Sequence, residues 1–281
     1  MFRLTVLILI MMLAACGEPR SASSPSSERP MRIVSLDYCA DQYVLKFADP
    51  EQILAISPDG VKDFSFMRDT AADVPTVRAV AEDVLILKPD LVVRSYGGGP
   101  NAAAFFERAG IPVLQVGWAS TVEGDGPGSI AHLVQTMADG LGQSDKGAQT
   151  IADYQARLAA LNANPSGIST LYMSRAGVST GEGTLAHNMM VAAGLENYAD
   201  RAGWHSLPLE KIAYEKPEMV AATFFDTPAD PRYRWSASRH PIAQSQLERT
   251  NTVSLEGAWT SCGGWYILNA VEALSEGAAN D

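Results

Sequence analysis

Two stretches of this chain, Glu82-Asp-Val-Leu-Ile-Leu-Lys-Pro-Asp-Leu-Val92 and Glu210-Lys-Ile-Ala-Tyr-Glu-Lys-Pro-Glu-Met-Val220, repeat one phrase. In both, a glutamate opens a short apolar-periodic run, Lys-Pro closes it, and an acid leads into a second apolar run. A glutamate in the first turn of a helix is favoured by the positive end of the helix dipole. Proline cannot continue a helix, because it lacks an N–H and clashes with the preceding turn. Each phrase therefore reads as helix, stop, strand, and its recurrence at identical spacing predicts two related halves.

Outward from these phrases, short apolar runs alternate with helical stretches. Strands are expected at Arg32-Ile-Val-Ser-Leu36, Ile53-Leu-Ala-Ile-Ser57, Asp90-Leu-Val-Val-Arg94 and Pro112-Val-Leu-Gln-Val116. Further strands are expected at Ser169-Thr-Leu-Tyr-Met173, Met219-Val-Ala-Ala-Thr223 and Thr252-Val-Ser254. Helices are expected over 41–48 and over 101–109, the latter capped by Gly110. Short apolar strands alternating with helices point to an α/β fold with mostly parallel, Rossmann-like sheets. Between the two strand groups, residues 145–161 place Ile151, Tyr154, Leu158 and Leu161 at helical spacing, and Asn162-Ala-Asn-Pro165 ends the run. One long rigid helix between two α/β lobes predicts lobes that pivot little.

The N-terminus reads differently. Arg3 precedes the apolar run 4–15, which ends Leu13-Ala14-Ala15-Cys16. That run is shorter than the roughly 20 residues a membrane-spanning helix needs, and it suits a secretory signal. The four residues ending at Cys16 resemble the bacterial lipoprotein box, with Cys16 as the lipidated residue. The Ser- and Pro-rich segment after it reads as a flexible tether. The expected division is a signal peptide over 1–15, a lipidated tether over 16–30, an N-terminal lobe over 31–142, a connecting helix over 143–163 and a C-terminal lobe over 164–281. The net charge of −11 argues against nucleic acid, which needs clustered Lys and Arg. Besides Cys16 only Cys39 and Cys262 are present. An oxidising compartment permits a disulfide between them, and the sequence leaves their proximity open.

The order of Arg32-Ile-Val-Ser-Leu36, Glu82 to Val92, Gly110-Ile-Pro-Val113, Gly181 to Gly194, Leu209 to Val220 and His240-Pro241 resembles one family. It is that of the periplasmic binding proteins that feed ABC importers of iron complexes and cobalamin. The resemblance covers nearly all of 31–275, and the Leu-Asp-Tyr-Cys-Ala-Asp-Gln and Ser-Cys-Gly-Gly-Trp phrases resemble one subgroup. It implies a ligand held in the cleft between two lobes and delivery to an inner-membrane ABC permease with its ATPase. It also implies that Glu82 and Glu210 dock into arginines of that permease. A monomer with no cofactor of its own is expected, tied to the membrane by its lipid alone.

Ligands of open α/β sheets bind outside the carboxyl ends of the strands. The candidates there are Tyr38, Phe64, Phe66, Arg94, Tyr96 and Trp118 in the first half, and Arg175, Trp204, His205, Phe225, Tyr233, Arg234 and Trp235 in the second. Aromatics with a few polar groups suit a large, flat cargo. The arginines suit siderophore oxygens or haem propionates. A ferric siderophore ranks first, cobalamin next, and haem is the alternative. A free metal ion needs converging ligands, whereas His132, His187, His205 and His240 are scattered. The enzyme alternative is a serine hydrolase: Gly177-Val-Ser-Thr-Gly181 fits the nucleophile elbow, with Asp226 and His240 coming later in α/β-hydrolase order. Ser174-Arg-Ala separates the strand from that motif and Glu182-Gly183 delays the helix, so capture without catalysis is the expectation.

Overall fold

The computed structural model describes residues 29–161, 166–226 and 234–279. The signal region, Cys16, nearly all of the tether, Asn162-Ala-Asn-Pro165 and Tyr233 lie outside the described residues. In the N-terminal lobe the order is β1 (Ile33–Ser35), α1 (Tyr38–Phe47), β2 (Ile53–Ala55), α2 (Arg68–Ala71), α3 (Ala81–Ile86), β3 (Leu91–Arg94), α4 (Ala102–Arg108), β4 (Val113–Gln115) and α5 (Ile130–Gly140). The long α6 (Ser144–Leu161) comes next. The C-terminal lobe opens with β5 (Ser169–Ser174), β6 (Val178–Thr180), α7 (Leu185–Ala192), β7 (Glu196–Asn197), β8 (Trp204–Ser206), α8 (Leu209–Tyr214) and β9 (Met219–Thr223). It closes with α9 (Pro241–Arg249), β10 (Asn251–Leu255), α10 (Gly257–Thr260) and α11 (Ile267–Ala279).

The strands form two four-stranded parallel sheets with one plan. Strand order is β2-β1-β3-β4 in the first lobe and β7-β5-β9-β10 in the second, so each opening strand lies in the interior of its sheet beside the strand of the repeated phrase. β3 and β9 are buried along their whole length, as strands covered on both faces by helices should be.

The repeated phrase makes the same joint in both lobes. α3 and α8 each open one residue before the glutamate, and Pro89 and Pro217 are buried below them. The acid after each proline clamps the start of the neighbouring strand. Asp90 accepts from the N–H groups of Met31 and Arg32 at 2.9 Å each, and Glu218 accepts from Ser169 N at 2.8 Å. Each acid's own N–H returns a bond to that strand, Asp90 N to Arg32 O and Glu218 N to Ser169 O. The phrase is thus a strand-registering device used twice.

α6 is held on both sides. Tyr154 and Leu158 are buried in a core that contains Ile33 and Tyr43 of one lobe and Met189, Leu255 and Leu268 of the other. The Tyr154 hydroxyl donates to Val122 O at 2.7 Å, while Arg157 pairs with Glu272 on α11 at 2.7 Å. Two departures from expectation have local causes. α1 begins at Tyr38 rather than Asp41, because Asp37 supplies the N-cap. β6 and β8 form an antiparallel pair that no sequence period announces, since each is three residues long. Among the described residues no helix is long and apolar enough to cross a membrane.

Candidate functional site

The cleft-facing end of the N-terminal lobe is organised by Asp37. This side chain lies just beyond β1, and its Oδ1 accepts from Ala40 N at 3.0 Å to cap α1. Its Oδ2 accepts three successive loop amides, those of Ser95, Tyr96 and Gly97, at 2.7, 3.0 and 2.7 Å. Gly97 is required by the approach of this loop to β1: a Cβ there would lie 2.3 Å from Leu36 O. The clamp presents Tyr96 outward, where its ring meets Tyr38 at 6.1 Å, and Tyr38 meets Phe64 edge-on at 4.8 Å. Burial, then the neighbouring charge of Asp37, raises the Tyr38 hydroxyl; burial also raises that of Tyr96. Both phenols therefore stay protonated at neutral pH and can donate.

Arg94 does not join this surface. It is 7% exposed, and its guanidinium donates to Gly97 O at 2.8 Å, Gly99 O at 3.0 Å and Gln115 Oε1 at 3.1 Å. The glycine loop folds back over the end of β3 and encloses the charge, so Arg94 braces the loop from below. Asp41 lies one turn into α1 with no exposure, accepting from Ser57 N at 3.1 Å and Oγ at 2.5 Å. Burial lifts its carboxyl to about 7, against the opposing pull of the Ser35 and Ser57 hydrogen bonds. Through Ser57 it anchors the loop that carries Phe64 and Phe66.

The matching end of the C-terminal lobe is built otherwise. Arg175 lies just beyond β5, donates to Phe225 O and sits over the Phe225 ring at 5.5 Å, while its Nε is buried without a partner among the described residues. Phe224, after β9, has φ 63°, a left-handed conformation that costs a bulky residue about 1–3 kcal/mol. Gly257 makes room for its ring, since a Cβ there would lie 2.4 Å from Phe224 Cδ1. Across the β6–β8 pair Ser179 stands opposite His205 and Thr180 opposite Trp204. Trp204 is exposed and packs edge-on against Tyr172 at 5.7 Å. His205 Nδ1 lies 2.9 Å from Ser206 O, and its Nε2 is buried without a partner among the described residues. Trp118 and Trp235 are 73% and 90% exposed, and Arg234 is exposed beside Trp235.

The hydrolase constellation is not assembled. Ser179 is fully buried in the middle of β6, and its Oγ has no hydrogen-bond partner among the described residues. His240 spends its Nδ1 accepting Ile242 N at 3.2 Å as the cap of α9, and Asp226 accepts from Gly257 N. The motif sits within a strand pair, not on a sharp strand-to-helix turn.

Between the rims runs a sealed seam. Cys39 and Cys262 form a disulfide with Cα atoms 5.6 Å apart, packed with Tyr266, Tyr38, Phe66 and Trp265. Phe66 stacks on Tyr266 at 4.5 Å, which places it in the seam. Tyr43 Oη donates to Gly263 O at 2.6 Å, Ser261 Oγ to Phe64 O at 2.9 Å and Asn188 Nδ2 to Ser120 O at 2.7 Å. Among the described residues no group of three or more His, Cys, Asp or Glu is arranged to hold a metal ion. A depression of about 530 Å³ beside α7 and β7, lined by Glu182, His187, Glu196, Asn197 and Arg201, has no Phe, Tyr or Trp among its described lining residues. Glu82 and Glu210 lie away from the seam, exposed in the first turns of α3 and α8.

Residues 33–227 match the model of the periplasmic binding protein family. No curated protein matches the sequence. Several solved structures share the fold. The haem-binding protein RhuT of Roseiflexus sp. RS-1, in apo form, is 20% identical with a TM-score of 0.66, over 88% of this chain and 98% of its own. The vitamin B12 binding protein BtuF of Vibrio cholerae is 18% identical with a TM-score of 0.64, over 90% and 98%. A protein of an Fe3+-hydroxamate transport system from Saccharomonospora viridis is 18% identical with a TM-score of 0.64, over 88% and 93%.

Proposed function

The chain belongs to the periplasmic binding protein family, and we propose that it captures a bulky metal complex, a ferric siderophore or cobalamin, between its lobes for an inner-membrane ABC importer. The observation that carries this reading is the aromatic surface at the strand ends. Tyr38, Phe64 and Tyr96 form one contiguous group across the ends of β1, β2 and β3, with Trp204 and Trp235 standing exposed on the other lobe. Aromatic faces with protonated phenols suit a large, flat or partly apolar cargo better than a small polar one. The disulfide and the seam bonds support capture by lobes that pivot little. In this reading Cys16 carries the lipid, and the tether keeps the protein near the permease, which raises their effective concentration.

One observation favours haem as the second cargo. A histidine that ligates a metal through Nε2 usually donates its Nδ1–H to a carbonyl or carboxylate, which fixes the tautomer. His205 has that second partner in Ser206 O, and its Nε2 has no hydrogen-bond partner among the described residues, although it is buried and would have to be uncovered for an iron to reach it. Titrating the purified full chain with a ferric hydroxamate, cyanocobalamin and haemin, read by tryptophan quenching and visible absorption, tests both. Saturable quenching by the hydroxamate or cyanocobalamin supports the first reading. A haemin spectrum with a Soret shift that disappears in His205→Ala supports the second. Folded protein that responds to none of the three overturns both.

A further inference from the structure

The helices of the repeated joint carry a feature that charge alone does not use. Ile86 on α3 is 77% exposed and Tyr214 on α8 is 90% exposed. Each stands four residues after its glutamate, Glu82 or Glu210, and residues four apart share one face of a helix. A single exposed apolar side chain needs no explanation. The same pair at the same register in both lobes does.

The rest of each joint matches position by position. Val84 and Ile212 are buried under the helices, and Pro89 and Pro217 end them. The residue after each glutamate reverses sign, yet both are engaged within their own lobe: Asp83 pairs with Arg78 at 2.8 Å and Lys211 reaches Asp200 at 3.4 Å. Neither Glu82 nor Glu210 forms an ion pair among the described residues. Each helix also returns the chain from the cleft end of a parallel sheet to its base, so both glutamates lie toward the cleft end of their lobes.

We propose that Ile86 and Tyr214 add an apolar contact beside the docking glutamates Glu82 and Glu210, at two equivalent positions on one partner, a membrane permease built as a two-fold dimer. Each half of that dimer presents a cationic side chain beside an apolar recess. The proposal rests on the importer reading and adds to it the apolar half of the contact. An exposed ion pair alone contributes little in water. An apolar side chain seated beside it excludes solvent and strengthens the pairing, as rim contacts do around interface hot spots. Charge decides the occupant: a second copy of a chain with net charge −11 would bring two acidic patches against each other.

The test uses the full chain, loaded with whichever of the three probe complexes it binds, against the cognate permease–ATPase complex in lipid nanodiscs. Ile86→Ser with Tyr214→Ser is expected to weaken docking at least about tenfold, with probe affinity and Tm unchanged. Ile86→Leu with Tyr214→Phe is expected to keep it. Glu82→Gln with Glu210→Gln is the comparison pair. Weakening by both the serine and the glutamine pairs supports the two-point contact. Weakening by the glutamine pair alone overturns the apolar contact and leaves the docking reading standing. Weakening by the serine pair alone removes the glutamates and overturns the two-point arrangement. Unchanged docking in both sets overturns this proposal and the docking reading together.

Discussion

At the cleft end of the N-terminal lobe one carboxylate oxygen of Asp37 accepts three backbone amides, and Arg94 fills the carbonyls beneath them. At the matching end of the C-terminal lobe Arg175 Nε, Ser179 Oγ and His205 Nε2 are buried with no hydrogen-bond partner among the described residues. The strand plan and the Glu–Lys–Pro joint are the same in both lobes, so the contrast does not come from the sheets. It comes from the residues at the exit of each opening strand: Asp37 beyond β1, and Arg175-Ala-Gly177 leading from β5 into β6. One lobe has a closed polar network under an aromatic wall. The other retains hydrogen-bonding capacity that burial makes costly, about 1–3 kcal/mol for each unmet group. The same strand plan thus carries a satisfied loop end in one lobe and buried, unmet polar groups in the other.

The largest expected effect breaks the satisfied loop end. Asp37→Ala removes the cap of α1 and three charge-assisted loop bonds, a loss of about 5 kcal/mol from the typical values for each. Urea unfolding measures it, and hydrogen exchange at the amides of residues 95–97 should accelerate with it. A loss under about 1 kcal/mol would mean that the loop is held by its glycine geometry and not by the carboxylate.

The next effect belongs to the same lobe and depends on pH. The folded Asp41 carboxyl titrates at about 7, above its ordinary value of about 3.9. A raised folded value means that its stabilising contribution is complete below about pH 4 and is lost as pH rises through about 7. The difference is on the order of 4 kcal/mol between those limits. Asp41→Asn should flatten that part of the stability–pH curve. A mutant curve parallel to the wild type from about pH 4 to about pH 8 would show that Asp41 is ionised throughout.

Much of this contrast is open to sequence reading, and the part that is not has a physical reason. The joint is legible because its signals are local: a glutamate, a proline and a fixed spacing act within one turn of the chain. The signal for Asp37 is also present, an aspartate immediately before an apolar helix. Starting the helix at Asp41 hides it, because the cap then looks like loop. Arg94 misleads for a different cause. An arginine at a strand end looks free in sequence, and only the path of Gly97 to Gly99 shows its guanidinium enclosed by carbonyls. The β6–β8 pair is illegible, because two three-residue strands pair across an intervening helix and the sequence shows only a Gly-x-Ser-x-Gly pattern.

The joints allow a more even comparison. Asp90 holds two amides of the strand beside it and Glu218 holds one. Both acids are exposed, so each bond is at the weak end of the range, about 1 kcal/mol. Asp90→Ala should therefore cost about 2 kcal/mol and Glu218→Ala about 1 kcal/mol by thermal unfolding. Equal costs would sharpen the duplication, since the second bond of Asp90 would then add nothing.

The smallest expected effect has the opposite sign and tests the buried, unmet groups of the C-terminal lobe directly. Ser179 is fully buried, its Oγ has no partner among the described residues, and the hydroxyl of a buried serine without a partner is a net cost. Ser179→Ala removes one oxygen and leaves the strand and its backbone pairing with His205 untouched. Stability should be unchanged or higher by up to about 1 kcal/mol, because replacing an unmet polar group with an apolar one of similar shape is neutral or favourable. Asp37→Ala, at the same end of the other lobe, should move stability by several times as much in the other direction. If Ser179→Ala instead destabilises the protein by more than about 1 kcal/mol, the hydroxyl has a partner in solution. The two lobes would then differ in which groups hold their loops, and no longer in whether those groups are satisfied.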